Sequence, residues 1–78
     1  MNERIYCNIM NRLIKLAEQN GAKVNDLVVT FKLINGDTLK AERGNINLRD
    51  GYIEAWAQYA NFEKFFFVPV SNIMSIEV

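Results

Sequence analysis

The fold is decided by one stretch, "LVVTFKLINGDTLKAERGNINL", Leu27 to Leu48. Val29, Phe31 and Leu33 alternate with Thr30 and Lys32, the period of two that places successive side chains on opposite faces of a strand. Asn35-Gly36 then interrupts two extended runs, and that pair supplies the positive φ angles a tight hairpin requires. Leu27–Ile34 and Thr38–Arg43 are therefore predicted as paired strands. Gly44 stands where the second strand would continue into "NINL", so a bulge or sharp bend is expected there.

On the C-terminal side, Asp50-Gly51 marks a second turn before "YIEAWAQY", in which Ile53, Ala55 and Ala57 oppose Tyr52, Glu54 and Trp56. A polar gap at "ANFEK" precedes a fourth run, Phe65–Val70, and "SN" separates it from a fifth, Ile73–Val78. On the N-terminal side the period changes to helical. Between Asn2 and Asn20, Ile5, Ile9, Leu13 and Leu16 form one stripe with Tyr6, Met10, Ile14 and Ala17 beside it, and Asn2 and Asn20-Gly21 signal the two ends. The expected fold is α+β and mainly β: a single domain, 1–78, with a helix over 2–20 and a five-stranded, strongly bent antiparallel small barrel of the SH3-like type over 27–78. Closure of such a barrel would remove the sheet edges.

Composition narrows the function classes. Seventy-eight residues bury a modest core, so oligomerisation would add needed stability. Cys7 is the one cysteine and there is no histidine, which rules out an internal disulfide and the usual zinc ligand sets. No metal or cofactor is expected. Nine basic and nine acidic residues cancel, so no overall field draws the chain to nucleic acid or an anionic membrane. No apolar run reaches membrane-spanning length, and a cytoplasmic location is the expectation. Catalysis is not expected either, because Ser71, Ser75 and Cys7 lack a sequence context that would activate a nucleophile.

The pattern of Leu27–Leu48 followed by "FFFVPVSNIMSIEV" resembles the Sm family, including bacterial Hfq and archaeal Sm-like proteins. Val29, Phe31, Leu33, Gly36 and Leu39 match the first motif in outline, and Phe67-Val68-Pro69-Val70-Ser71-Asn72-Ile73 with Ser75-Ile76 match the second. The family's nucleotide-contacting Asp-x-Met-Asn is not repeated: Gly44 stands where the aspartate would, and Asn47 precedes Leu48. "VPVS" replaces the Arg-Gly of Sm proteins and the Lys-His of Hfq. The resemblance implies a ring in which the fourth strand of one subunit pairs with the fifth of the next. It therefore implies interface roles for Phe65, Phe66, Val68, Ile73 and Ile76, with Phe66 and Val68 outward and covered by the neighbour. The same-chain helix is the other cover for that outward pair.

Asn47, Arg49, Tyr52, Trp56 and Tyr59 are the candidate ligand or RNA residues, since aromatic rings stack bases. Glu54 between Tyr52 and Trp56 opposes phosphate, and packing is the competing role for the rings. Lys40, Arg43 and Arg49 would collect about a ring axis or, as single side chains, lie solvated near Asp37, Glu42 and Asp50. The function expected is a non-catalytic, self-associating Sm-like binding module with single-stranded RNA as first candidate. The alternatives are a protein-interaction or inhibitor module, such as a phage or mobile-element accessory protein, or a small anionic ligand held between subunits.

Overall fold

The computed structural model describes all residues, Met1–Val78. Its order is α1 (Glu3–Gln19), β1 (Val28–Leu33), β2 (Thr38–Glu42), β3 (Ile46–Leu48), β4 (Tyr52–Tyr59), β5 (Phe62–Pro69) and β6 (Ile73–Glu77), with 3-10 turns at Val24–Asp26, Arg43–Asn45 and Val70–Asn72. The bend expected at Gly44 is a full 3-10 turn, so the expected second strand becomes two, β2 and β3. Gly44 lies so close to the first of these turns that a Cβ there would stand 3.2 Å from the Asn25 Cβ and 3.3 Å from its carbonyl oxygen. Glycine thus lets the two turns pack backbone to backbone.

All pairings are antiparallel, in the order β5–β4–β2–β1–β6, with β3 continuing β2's side of β4. The sheet curls but does not close: β5 pairs only with β4, and β6 only with β1. The expected edge-free barrel is therefore a half-barrel with two open edges. β5 also begins earlier than the sequence run, because a two-residue turn at Ala60-Asn61, with Ala60 at φ 52°, sets Tyr59 directly opposite Phe62.

The concave face carries the core, in which Val29, Phe31, Leu39, Ala41, Ile46, Ile53, Ala55, Ala57, Val68, Val70 and Ile73 are buried. α1 lies over it. Asn2 Oδ1 accepts from the Ile5 N–H at 2.8 Å, and the Asn20 side-chain amide donates to Leu16 O at 2.9 Å, so both helix ends are capped by their own side chains. The helix row that enters the core is Tyr6, Met10 and Ala17 with Leu13 half-buried, while Ile5 and Leu16 of the expected stripe are exposed. Positions 6, 10, 13 and 17 are as regular a helical row as 5, 9, 13 and 16. The first row prevails because Tyr6 stacks on Phe31 at 6.4 Å and the small Ala17 admits close approach.

Burial pushes the Tyr6 hydroxyl up to about 12; the positive charge of Arg43 acts in the other direction, and Cys7 adds a smaller rise. A raised folded-state value means the neutral phenol is favoured by folding. Its contribution is complete below pH 10 and is lost as pH rises toward about 12, a loss of about 2 kcal/mol at the upper end. Chemical denaturation across this range is expected to show a steeper fall for the wild type than for Tyr6→Phe; equal slopes would contradict the burial of the hydroxyl.

Candidate functional site

Register on β4 and β5 determines what the convex face presents. Tyr52, Glu54, Trp56 and Gln58 stand opposite Pro69, Phe67, Phe65 and Glu63, and residues directly opposite in an antiparallel pair share a face. Two aromatic pairs result: Trp56–Phe65, with centroids 5.1 Å apart and rings at 68°, and Tyr52–Phe67, 6.4 Å apart at 55°. Phe65 and Phe67 are 63% and 65% exposed, and Tyr52 and Trp56 are also exposed. The four rings form an apolar patch of the order of 400 Å², a size that on small proteins often marks a contact surface.

Asn47 on β3 pairs with Glu54 and so shares this face. Arg49 reaches Glu54 with its Nε at 2.7 Å and its Nη2 at 2.5 Å from the same Oε1. The carboxylate between the two aromatic pairs is thereby neutralised, and so is the guanidinium expected to meet a polyanion. Tyr59 does not join them. It has the parity of Ile53 and lies on the other face, where its ring meets Phe66 at 6.0 Å and its hydroxyl donates to Asp37 Oδ1 at 3.0 Å. That hydrogen bond to the carboxylate, with the carboxylate's charge, raises the Tyr59 pKa.

The expected outward placement of Phe66 and Val68 is inverted. They stand opposite Ala55 and Ile53, on the concave face, where Val68 is buried and Phe66 packs against the core. Phe65 and Phe67, the other pair, face out. Of the remaining interface candidates, Ile73 is buried and Ile76 is half-buried in the same core. Lys40, Arg43 and Arg49 also separate: Lys40 borders a groove with Trp56 and Gln58, Arg43 turns in beside Tyr6 and Met10, and Arg49 holds Glu54.

The open edges have readable polarity. Tyr52 O accepts from Arg49 N at 2.8 Å and Val70 N donates to Gly51 O at 3.0 Å, so the Tyr52 backbone faces β3 and the Val70 backbone faces Gly51. Alternation along the ladder then turns the backbone groups of Glu63, Phe65 and Phe67 away from β4, toward empty edge. On β6, Leu33 N is taken by Asp37 O at 2.8 Å, so Leu33 looks to β2, and the backbones of its partner Ile73 and of Ile76 look away from β1, Ile73 toward Met1 and Ile76 toward the free edge. The Ile73 carbonyl accepts from the Met1 amino nitrogen at 2.7 Å. Sequence reasoning could not reach this polarity, which depends on register.

The surface offers apolar rings and strand-edge donors and acceptors, which is binding chemistry. No helix is long and apolar enough to cross a membrane, and no three His, Cys, Asp or Glu side chains are grouped so as to hold a metal ion. No protein-family model, curated protein or solved structure matches the chain.

Proposed function

We propose that this chain is a non-catalytic, self-associating binding module of Sm-like architecture, assembled by the β5 edge of one copy meeting the β6 edge of the next. The supporting observation is that a single curled sheet ends in two strands, β5 and β6, each paired on one side only and joined by the short 3-10 turn at Val70–Asn72. A long apolar edge left open is a template for further strands, and natural proteins pair, cover or charge such edges. Head-to-tail edge pairing uses both edges in every copy and closes if the rotation permits. In Sm-like rings the corresponding strands meet in this way. Phe62–Pro69 would lie against Ile73–Glu77 of a neighbour, with Phe65 and Phe67 carried to the convex side of the junction.

RNA is the ligand that the resemblance brings forward, and its binding is expected to be weak. A formal net charge of zero releases few counterions on contact with phosphate, and Arg49 is engaged by Glu54. Fluorescence anisotropy with mixed single-stranded oligonucleotides is expected to give a Kd of about 10⁻⁵ M or weaker at physiological salt, strengthening only modestly as salt is lowered. Submicromolar affinity at physiological salt would overturn this expectation.

A second reading, a protein-interaction module, has its own support. The aromatic pairs are tilted against each other rather than laid out as parallel platforms, and the carboxylate of Glu54 lies in their row. Such a ridged, neutral, apolar face suits side chains better than bases. Absence of oligonucleotide retention even at low salt would favour this reading over RNA.

A further inference from the structure

Of the chain's asparagines only Asn20 and Asn35 are followed by glycine. That dipeptide carries a reaction of its own. The glycine amide nitrogen attacks the asparagine Cγ, ammonia leaves, and water opens the resulting five-membered imide to aspartate or isoaspartate; glycine favours the attack because no Cβ crowds the approach. In the loop 34–36, between β1 and β2, both reacting groups are held. The Gly36 N–H, which carries the nucleophilic nitrogen, donates to Leu33 O at 3.0 Å. The Asn35 amide is fixed at both of its atoms by one residue: Oδ1 accepts from the Asp37 N–H at 3.0 Å, and Nδ2 donates to Asp37 Oδ2 at 3.0 Å. Asp37 Oδ1 in turn accepts from the Tyr59 hydroxyl at 3.0 Å, which moors the loop to the end of β4.

We propose that Asn35 is a self-modification site gated by this loop: unreactive while the loop is closed, converted when it opens, and unable to restore the same closure afterwards. With its proton shared with Leu33 O the Gly36 nitrogen is not available as a nucleophile, and with the amide tethered to Asp37 the Cγ cannot swing to meet it. The side-chain bonds of the gate are all exposed, and exposed loop bonds open far more often than the core does. Local opening of the hairpin end therefore sets the rate.

Conversion changes what the loop can do. The Nδ2 donor is replaced by an oxygen, so a second carboxylate faces Asp37 Oδ2 where a hydrogen bond stood, and like charges at that distance repel. Isoaspartate also adds a side-chain carbon to the main chain inside the ring closed by the Leu33 N–H and Asp37 O, 2.8 Å apart. The result is a one-way loosening of the β1–β2 hairpin. Asn20 is held otherwise, by the last turn of α1, where its Nδ2 donates to Leu16 O and Gly21 N donates to Glu18 O. It serves as an internal reference.

The 78-residue chain is incubated for days in mildly alkaline buffer, folded and in urea, and amide-to-acid conversion at each Asn-Gly is read by peptide-mapping mass spectrometry. Asn35 is expected to convert at least about tenfold more slowly in the folded chain than in urea. Asp37→Ser removes both side-chain ties and keeps the backbone donor. It is expected to raise the folded-state rate at Asn35 at least about threefold, with the Asn20 rate and both rates in urea unchanged. If that variant fails to fold, Tyr59→Phe, which unmoors the Asp37 carboxylate without touching Asn35, supplies the same comparison. Asn35→Asp, which copies one product, is expected to speed amide hydrogen exchange at Leu33 at least about tenfold. Equal rates at Asn35 in folded and unfolded chains, an equal rise at Asn20 and Asn35 in a folded variant, or unchanged Leu33 exchange in Asn35→Asp would each overturn the proposal.

Discussion

Replacing Phe31 by alanine is expected to leave much of the population unfolded in dilute buffer at room temperature. Phe31 is fully buried, and its ring is where α1 meets the sheet between β2 and β6. It stacks on Tyr6 of α1, stands opposite Leu39 of β2 on one side, and opposite Ile76 of β6 on the other. Truncating a buried phenylalanine removes transfer free energy and leaves a cavity, together about 3–5 kcal/mol. A domain of this length has a total stability of roughly 4–12 kcal/mol. Since only 14 of 78 residues are buried, the lower part of that range applies and the loss is near the whole. Urea denaturation followed by circular dichroism measures it. Lys32→Ala, at the next position on the solvent face, gives the contrast, because its ion pair with Glu77 is exposed and worth less than about 1 kcal/mol. A Phe31→Ala loss no larger than that of Lys32→Ala would contradict the assigned core.

The second large effect concerns the proposed assembly. If β5 and β6 join copies as proposed, Glu63→Pro is expected to give single copies while leaving the chain folded. Glu63 is exposed and opposes Gln58, and its backbone N–H points away from β4. Proline there removes a donor from the free edge and none from the β4–β5 ladder, which is why proline is tolerated on edge strands. It also leaves the four rings of the convex face in place. Fold is checked by circular dichroism and size by light scattering. A folded variant with undiminished mass would show that β5 does not make the subunit contact. The comparison of Glu63→Pro with Phe65→Ser would then indicate whether the rings make it instead.

The elements that were legible in the sequence are those written in local chemistry. Asn35-Gly36 and Asp50-Gly51 both mark turns, with Gly36 at φ 92° and Gly51 at φ 79°, and the alternation along Tyr52–Trp56 assigned Tyr52 and Trp56 to one side of the sheet, where only the β3–β4 register adds Asn47. What the sequence left unread depends on register and on the third dimension. The run "FFFV" is apolar at every position, so alternation alone cannot say which pair faces inward. The two-residue turn at Ala60-Asn61 decides it by setting Phe62 opposite Tyr59. Tyr59 was separable in principle, since it shares the parity of Ile53, yet the attraction of a third ring in sequence placed it with Tyr52 and Trp56. The rotation of α1 by one residue was hidden because the helix carries two adjacent apolar rows. Whether the strands close into a barrel was equally hidden, because β5 and β6 are joined by a turn that sends them apart rather than back onto each other. Arg43 looked like one more basic strand residue, and only the 3-10 turn at Gly44 carries its guanidinium beneath the helix.

The central proposal is that the two open edges are joined between copies. Its most direct test is the mass of the purified 78-residue chain in solution, measured by sedimentation equilibrium from low to high micromolar concentration. The account predicts a closed assembly whose mass is a fixed multiple of 9.0 kDa and does not grow with concentration. A single 9.0 kDa species across the whole range would contradict it.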